Sequence, residues 1–426
     1  MTKASPSSSQ RVLLLCTTTG YQTDAFVEAA QKLGASVAFG TDRCHVLEDP
    51  WRNGAIPLRF HSPEESAGAI VEYARAAPVD AIVSIGDAPT ITGALACRQL
   101  GILHHPPEGA AACHNKFRSR QLLQAAGLNV PPFGCLPAEQ DRPVLPVEVP
   151  FPCVLKPVSL SASRGVIRAD DPQEFLAAFR RIAALLHSPE VQVKKEAITD
   201  QILVEGFIEG REFALEGLMD RGRLQILALF DKPDPLDGPY FEETLYVTPS
   251  RLDEETKDSL VRCVERATYA LGLFHGPIHA EVRLNRGGPW ILEVAARPIG
   301  GLCARALRFG SGISLEELIL RHSLGNDVAG LRREDAASGV MMIPIPRGGI
   351  FQGVEGLEKA LETPGVEYIK ITAKLKQKLV PWPEGSSYLG FIFARASSPQ
   401  EVEDALRRAH QQLDFVITAS LPVARP

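Results

Sequence analysis

The chain has 426 residues, and about 100–200 residues per domain predicts two to four structural units. An apolar fraction of 45%, a charged fraction of 23% and a net charge of −6 are typical of a globular protein and argue against a surface built to bind nucleic acid. No apolar run approaches the ~20 residues needed to cross a bilayer. We therefore expect neither a nucleic-acid nor a membrane partner, although a local basic cleft for phosphates is compatible with this composition.

The cysteines point to a reducing compartment. All 8 are widely scattered, without a C-x-x-C pair or a zinc-like spacing. Such cysteines are typical of reduced, packed thiols in a cytoplasmic protein. Residues 1–10 are polar and rich in serine, without the apolar core of a signal peptide, which predicts a disordered tail.

The first hundred residues alternate between strand and helix patterns. Strands are predicted at residues 11–20, 35–39 and 79–85, and helices at residues 21–33 and 89–100. This alternation predicts a parallel sheet covered by helices. The turn at residues 17–20, TTTG, lacks the G-x-G-x-x-G spacing of a dinucleotide site, so a nicotinamide-dependent oxidoreductase is a distant alternative.

Two lysines and a hydroxyl-rich loop follow. A helix within residues 113–132 carries Lys116, and a strand ends at Lys156 before the loop SLSASRG. Backbone N–H groups and serine hydroxyls in such a loop can hold an anion, and a lysine on the adjoining strand adds positive charge. The alternative is a mobile surface hairpin whose serines only contact water.

The next segment places carboxylates at strand ends. Glu205 ends an apolar strand and precedes Phe207 and Ile208. In this geometry the acceptor side chain of Glu205 and the adjacent backbone groups can form hydrogen bonds with the edge of a purine. Glu212 and Glu216 share one face of the following strand. The turn-rich loop at residues 231–239 is consistent either with a lid over a substrate or with a plain connector.

Residues 276–301 form the stretch with the clearest pattern. They read as two strands with period two, joined by a glycine turn. If Asn285 pairs with Pro289, then Glu281 faces Glu293, and this like-charge pair would be destabilising unless a divalent cation lay between the carboxylates. His279 falls on the same face as Glu281. A hairpin with a solvated charged face is the alternative.

After this hairpin we predict a helix at residues 314–324, with Ser314 as its N-cap and Glu317 completing a capping box. A polar stretch at residues 332–338 then marks a boundary. Beyond it the pattern predicts strand, helix, strand, strand and helix, with the helices at residues 353–361 and 399–413. This region is predicted to be a small α+β unit.

Taken in order, these features resemble the ATP-grasp superfamily, and within it the L-amino acid ligases and carnosine-synthase-like enzymes. The resemblance implies α/β and α+β architecture: an N-terminal Rossmann-like domain, a two-lobed ATP-binding core and a C-terminal α+β domain. The corresponding expected units are the tail at residues 1–10 and domains at residues 11–110, 111–330 and 331–426, with a mobile lid lobe at about 135–205.

The resemblance also implies a role for individual residues. The metal ligands would be Glu281 and Glu293, binding Mg²⁺, for which Mn²⁺ may substitute. ATP would contact Lys116, Lys156, Ser163, Arg164, Gly165, Glu205, Phe207, Ile208 and Glu212. The reacting groups would be stabilised by Arg297, Lys156, Gly300 and Gly301. His279 would orient a ligand or the incoming amine, and the alternative is a histidine that is only hydrogen-bonded within the hairpin.

The implied chemistry is ATP-dependent amide formation through an acyl phosphate, with an amino acid among the carboxylate and amine substrates. One departure stands out: the family pattern E-x-N-x-R reads Glu293-Val-Ala295-Ala-Arg297 here. This leaves open whether one or two metal ions bind. The alternatives are an ATP-grasp carboxylase or nucleotide-biosynthesis ligase, and a nucleotide-binding module without turnover. Many relatives are homodimers, but no self-complementary patch in the sequence decides the oligomeric state.

Overall fold

The computed structural model of the chain describes residues 10–17, 22–42, 55–141, 143–193 and 200–419. The predicted tail, apart from residue 10, and the turn at residues 18–20 lie outside this part of the chain. Among the described helices, none has the length and apolar character required to cross a membrane.

The N-terminal region has the predicted alternation of strands and helices. In the described residues its parallel strands are ordered β3-β2-β1-β4. Because Gly86 and Asp87 directly follow β4, they lie at the carboxyl edge of this sheet. The elements are β1 (Arg11–Cys16), α1 (Thr23–Lys32), β2 (Ser36–Thr41), β3 (Ala55–Pro57), α2 (Pro63–Ala76), β4 (Ala81–Ile85), α3 (Thr90–Leu100) and α4 (Pro107–His114).

A small lobe follows, built on an antiparallel sheet of order β5-β8-β6-β7. The predicted helix that carries Lys116 is confirmed. It begins at Lys116, because the Asn115 side chain accepts a hydrogen bond from the Arg118 N–H (2.9 Å) and caps it, while residues 113 and 114 belong to α4. The elements are α5 (Lys116–Ala125), β5 (Phe133–Pro137), β6 (Cys153–Pro157), β7 (Ile167–Ala169), α6 (Pro172–Leu186), α7 (Pro189–Gln192) and β8 (Gln201–Gly206).

The large lobe contains the predicted carboxylate strands. Its N-cap prediction at Ser314 is confirmed, since the Ser314 side chain accepts from the Glu317 N–H (3.1 Å). The Glu317 carboxylate contacts Arg321 instead of closing the capping box. The elements are β9 (Arg211–Asp220), β10 (Arg223–Asp231), β11 (Leu245–Thr248), α8 (Glu254–Ala270), β12 (Gly276–Asn285), β13 (Gly288–Ala295), a 3₁₀ turn (Cys303–Ala306), β14 (Arg308–Phe309), β15 (Ile313–Ser314) and α9 (Leu315–Ser323).

The C-terminal region extends the large-lobe sheet. An eight-stranded sheet of order β13-β12-β9-β10-β11-β16-β20-β18 runs through both regions, across the predicted boundary at residue 331. The elements are β16 (Ala337–Ile343), β17 (Gly349–Glu355), α10 (Leu357–Leu361), β18 (Val366–Ile371), β19 (Lys378–Leu379), β20 (Gly390–Ala396), α11 (Pro399–His410) and β21 (Asp414–Thr418).

The helix predicted at residues 353–361 is too long. Its first three residues belong to β17, which pairs with β21, and the helix itself covers only Leu357–Leu361. The partner strand lies about sixty residues away along the chain, so local periodicity could not reveal this pairing.

The central strands have one apolar face and one mixed face. Phe213 and Leu215 of β9 pack with Ala280 of β12 against the apolar side of α8. Ala214 and Leu218, on the opposite face of β9, contact a second apolar cluster shared with α9 and the N-terminal sheet. Since side chains alternate along a strand, this second face also carries the ionisable residues of β9 and β12.

The β12–β13 hairpin confirms one expectation and corrects another. Asn285 pairs with Gly288 across a two-residue loop, not with Pro289. A register shift next to Glu281 leaves Leu292 as an extra residue on β13, and Glu281 therefore still faces Glu293 as predicted. Because of this bulge, Ile291 lies in the core, whereas Leu292 lines a cavity.

Candidate active site

A cavity of about 400 Å³ lies where the lobes and the terminal regions meet. Its lining comes from the end of β4, the start of α5, the small lobe, the mixed face of the large sheet and the C-terminal region. From the C-terminal region come Met342, Ser386 and Tyr388. Almost all residues predicted to act in the site line this cavity; Arg164 and Gly165 do not.

Lys116 is the first residue of α5 and reaches across the cavity. Its ammonium donates to the Leu160 carbonyl (2.7 Å) in the hydroxyl-rich loop, and it lies 3.6 Å from a Glu293 oxygen. One lysine therefore contacts both the loop predicted to hold phosphates and a carboxylate predicted to bind metal.

Lys156 belongs to a buried cluster of charges. The Glu205 carboxylate accepts from Arg120 Nε (2.7 Å) and Nη2 (3.2 Å) and forms an ion pair with Lys156. Burial alone would raise the pKa of Glu205, but the two cations outweigh it and lower the pKa to about 2. Burial lowers the pKa of Lys156, although Glu205 opposes this effect. Glu205 thus serves as an anchor for two cations.

In the segment predicted to bind adenine, some backbone groups are already hydrogen-bonded to other protein groups and some are not. Phe207 N–H donates to the Pro152 carbonyl (2.9 Å), and the Ile208 carbonyl accepts from Arg283 Nη1 (2.6 Å). Within the described ranges, the Phe207 carbonyl and the Ile208 N–H have no hydrogen-bond partner. This adjacent acceptor and donor have the pattern needed to read the edge of an adenine.

Three carboxylates surround one lysine on the mixed face of the sheet. Oxygens of Glu212, Glu243 and Glu281 all lie within 4.8 Å of one another. Lys232 donates to Glu212 (2.7 Å), contacts Glu243 and lies 3.4 Å from Glu281. Burial raises the pKa of Glu243 to about 7, and Glu281 adds to this effect while Lys232 opposes it.

The loop at residues 231–239 is packed against this carboxylate group. Asp231 accepts from Ser250 Oγ (2.6 Å) and from Arg251 Nε (2.7 Å), and the Leu236 carbonyl contacts Arg283. These contacts favour the interpretation of this loop as a plain connector over its interpretation as a lid over a substrate. They also fix Lys232 beside the carboxylates.

His279 links Glu281 to the neighbouring strand. Its Nδ1 is hydrogen-bonded to Glu216, and its Nε2 lies 3.5 Å from a Glu281 oxygen. Burial alone would lower the pKa of His279, but Glu216 and Glu281 raise it to about 9. A protonated ring held between two carboxylates can orient Glu281, but it cannot accept a proton at neutral pH. Across the ladder from His279 lies Ala295, buried, where the family pattern has asparagine.

Arg297 is held by the N-terminal region. Its Nε and Nη2 donate to the two oxygens of Asp87 (2.8 and 3.0 Å), and its Nη1 donates to the Pro298 carbonyl (2.9 Å). Burial would raise the pKa of Asp87, but Arg297 lowers it to about 2. A guanidinium has five N–H groups, so two remain to contact an anion. Gly300 and Gly301 line the cavity beside this arginine.

The loop predicted to close over phosphates is fastened to the C-terminal region. Ser163 lines the cavity, but Arg164 donates to the Glu384 carbonyl (2.8 Å), and Gly165 N–H donates to the Pro383 carbonyl (2.8 Å). Trp382 Nε1 also donates to Ala162 (3.2 Å). In this structure Arg164 and Gly165 therefore position the loop and do not face the cavity, in contrast to the prediction.

Sequence reasoning missed several charged residues of the site, among them Asp87, Arg120, Lys232 and Glu243. Asp87 had an available signal, because it follows a parallel strand, and ligands bind at the carboxyl edge of such sheets. Arg120 lies four residues after Lys116, on the same helix face. Lys232 and Glu243 carry no comparable local signal.

The donor groups fit Mg²⁺ and a nucleotide. Glu281 and Glu293 are cross-strand neighbours that line the cavity, and they provide the hard oxygen ligands that Mg²⁺ prefers. Lys116 and Lys156 line the same cavity, and their ammonium groups would stabilise the negative phosphates.

Family models match three parts of the chain. An ATP-grasp N-terminal domain matches residues 27–103, an ATP-grasp domain matches residues 149–306, and L-amino acid ligase C-terminal domain 2 matches residues 341–418. Together they include both strands of the carboxylate hairpin and the C-terminal residues that line the cavity.

Among curated proteins, the chain is 27% identical to alanine–anticapsin ligase of Bacillus subtilis, over 60% of this chain and 56% of the relative. It is 29% identical to carnosine synthase 1 of Mus musculus, over 57% of this chain and 30% of the relative. The chain thus spans about half or less of the length of these relatives. The structure of an L-amino acid ligase from Bacillus licheniformis superposes with a TM-score of 0.81 and 28% identity, covering 96% of this chain and 99% of that one. The chain belongs to the ATP-grasp superfamily and is similar, within it, to the L-amino acid ligases.

Proposed function

We propose that this protein is an ATP- and Mg²⁺-dependent carboxylate–amine ligase that forms an amide bond with an amino acid as a substrate. One observation carries the proposal: the region that matches the L-amino acid ligase C-terminal domain supplies part of the cavity wall. That wall adjoins the lysines and carboxylates that fit MgATP, so the nucleotide and the acceptor would share one cavity.

The reaction has two steps in this proposal. A carboxylate oxygen of the first substrate bonds to the γ-phosphorus of ATP, ADP leaves, and an acyl phosphate forms. The amine nitrogen of the second substrate then bonds to the acyl carbon, inorganic phosphate leaves, and the nitrogen loses a proton. The products are an amide, ADP and phosphate.

The protein contributes mainly charge and position, because phosphoryl transfer needs little covalent help. Lys116 and Lys156 would stabilise the phosphates, and Glu281 and Glu293 would hold Mg²⁺, which neutralises charge on the transferred group. Glu205 and Arg120 fix Lys156, and His279 fixes Glu281.

Arg297 would act on the substrate side. Its two remaining N–H groups would hold the substrate carboxylate or the oxyanion of the tetrahedral intermediate, with backbone N–H groups of Gly300 and Gly301 alongside. Asp87 keeps the guanidinium in place through two hydrogen bonds.

The test is phosphate release from MgATP with amino acids added singly and in pairs, combined with mass spectrometry of the products. We expect release that depends on a particular pair, and a product mass equal to the two partners minus one water. Glu293→Gln should abolish both, whereas Glu255→Gln, on an exposed face of α8, should change neither.

Bicarbonate alone is the discriminating control for a carboxylase. Stimulation of phosphate release by bicarbonate without an amino acid would support that alternative and contradict amino acid ligation. ATP binding without phosphate release under any mixture would instead indicate a nucleotide-binding module.

A further inference from the structure

A second group of metal-binding side chains lies on the same strands, away from the cavity. Asp220 ends β9, His275 directly precedes β12, and His322 lies in the last turn of α9. One ligand atom from each lies within 4.8 Å of the other two. Because a strand rises about 3.3 Å per residue, Asp220 is about 13 Å beyond Glu216, outside the lining of the cavity.

The spacing within this group is that of metal ligands. His275 Nδ1 lies 3.3 Å from Asp220 Oδ1, and His322 Nε2 lies 3.5 Å from the same oxygen. In a tetrahedral site with bonds of about 2.0–2.1 Å, ligand atoms are about 3.3–3.4 Å apart. Both nitrogens are therefore already at about the distance from the Asp220 oxygen that a bound ion would impose.

Three of the four ring nitrogens of His275 and His322 are buried without a hydrogen-bond partner among the described residues. The side chains of His275 and His322 are only 8% and 4% exposed. In the part of the chain that the structure describes, His275 Nδ1 and both ring nitrogens of His322 have no hydrogen-bond partner. An unpaired buried polar atom costs about 1–3 kcal/mol, so a ligand that engages these nitrogens would remove a considerable penalty.

A neighbouring histidine shows the contrasting, fully paired arrangement. His105 accepts at Nδ1 from the Phe274 N–H (3.2 Å) and donates from Nε2 to the Pro277 carbonyl (3.0 Å). His105 is thus fixed by backbone groups and has no nitrogen left for a metal. The unpaired state of His275 and His322 is not a general property of histidines in this part of the fold.

The donor set selects the class of metal. Two imidazole nitrogens with one carboxylate oxygen favour Zn²⁺, whereas Mg²⁺ prefers oxygen ligands throughout. The Asp220 side chain is 56% exposed, which gives the ion a path from solvent and leaves a fourth position for water. We propose that Asp220, His275 and His322 form a zinc site separate from the nucleotide cavity.

Such a site would fasten α9 to the ends of β9 and β12. The helix packs through Leu318 and Ile319 in the same apolar cluster as Val12 of β1 and Val83 of β4. Zinc would therefore stabilise the junction between the large lobe and the N-terminal sheet. The two rings now stack at 4.0 Å and 24°, so their lone pairs do not converge fully, and we expect the stack to open as the metal binds.

The test is zinc binding to the full-length chain after chelator treatment. Zn²⁺ would be titrated against a chromophoric chelator in excess Mg²⁺, so that Mg²⁺ occupies the carboxylates of the cavity. We expect one zinc per chain, bound at least about 100-fold more weakly by Asp220→Asn and by His322→Phe, since even an outer-shell change costs 10–100-fold. The phenylalanine keeps a ring to stack on His275. Zinc should also raise the melting temperature of the wild type but not of these variants.

Two control variants make the outcome decisive. His104→Gln removes an adjacent histidine outside the ligand group, and Glu293→Gln disables the cavity carboxylates; both should bind zinc like the wild type. Zinc binding lost in Glu293→Gln but kept in Asp220→Asn would place the ion in the cavity and overturn the proposal. Absence of a zinc equivalent in the wild type would also overturn it. If His322→Phe fails to fold, Asp220→Asn decides, because its side chain is exposed.

Discussion

The two walls of the cavity have opposite charge imbalances. On the small-lobe wall, Lys156 and Arg120 share one buried carboxylate, Glu205, and Lys116 adds a third cation. On the large-lobe wall the carboxylates outnumber the cations, with Glu212, Glu243, Glu281 and Glu293 facing Lys232 and Arg283.

Burying excess charge of one sign is costly unless a ligand compensates it. A polyphosphate would balance the first wall and a divalent cation the second. The comparison shows that each wall carries a net charge that the protein itself does not balance. A ligand with both negative and positive groups, such as a metal-bound nucleotide, would balance both walls.

The largest loss of activity should follow from removing a negative charge from the large-lobe wall. Glu281→Gln removes a proposed metal ligand that faces Glu293 across the ladder. We expect phosphate release to fall at least 10⁴-fold, equivalent to about 5.5 kcal/mol, because metal charge stabilisation is worth several kcal/mol. Steady-state kinetics would measure it, with Glu255→Gln as the control. Activity within tenfold of the wild type would show that the carboxylate wall does not hold the metal.

On the small-lobe wall, the buried ion pair between Arg120 and Glu205 can be removed by mutation. Arg120→Met leaves Glu205 with one cation instead of two and removes hydrogen bonds to the Ile291 and Leu292 carbonyls. We expect a loss of about 3–5 kcal/mol in the free energy of unfolding, typical of a broken buried ion pair. Urea denaturation measures it, with the exposed Arg118→Met on the same helix as a control expected within about 0.5 kcal/mol. Equal stabilities of the two variants would contradict the anchoring role.

The same wall should respond to acid. The pKa of Glu205 is about 2 in the folded chain and about 4.3 when unfolded. Because the folded pKa is the lower one, this carboxylate stabilises the fold fully above pH 4.3 and loses its contribution, about 3 kcal/mol, as pH falls towards 2. Glu205→Gln should therefore be less stable than the wild type at neutral pH, with a gap that narrows below pH 4. A gap independent of pH in urea titrations would refute this assignment.

The smallest of these effects concerns the ion pair that joins Arg297 to Asp87 of the N-terminal region. Asp87→Asn removes the charge of the group that holds Arg297 in two hydrogen bonds. We expect kcat/KM to fall by about 10–100-fold, or about 1.4–2.7 kcal/mol, since charge-assisted bidentate pairs are strong. The matched control is Glu72→Gln, exposed on α2. Unchanged kinetics would mean that Arg297 is positioned without Asp87.

Most strands and helices, and some of the charged side chains that line the cavity, were predictable from local pattern. Periodicity of two placed Glu281 and Glu293 on one face of a hairpin, and strand ends placed Lys156 and Glu205 next to loops. These signals are local because an apolar face and a polar face alternate within a few residues. They identify which side chains point away from the apolar core, and so which ones are available to a ligand.

The amino-acid sequence by itself thus determined most types of secondary structure and part of the charged groups at the cavity, among them Lys116, Lys156, Glu281 and Glu293. Only the tertiary structure decided their partners: Arg120 and Lys156 on Glu205, Asp87 on Arg297, and the bulge at Leu292 that restores the Glu281–Glu293 pair after a shorter turn. It also joined the C-terminal strands to the large-lobe sheet. The physical reason is that periodicity reports the environment of a residue, whereas an ion pair between residues 210 positions apart depends on the path of the whole chain.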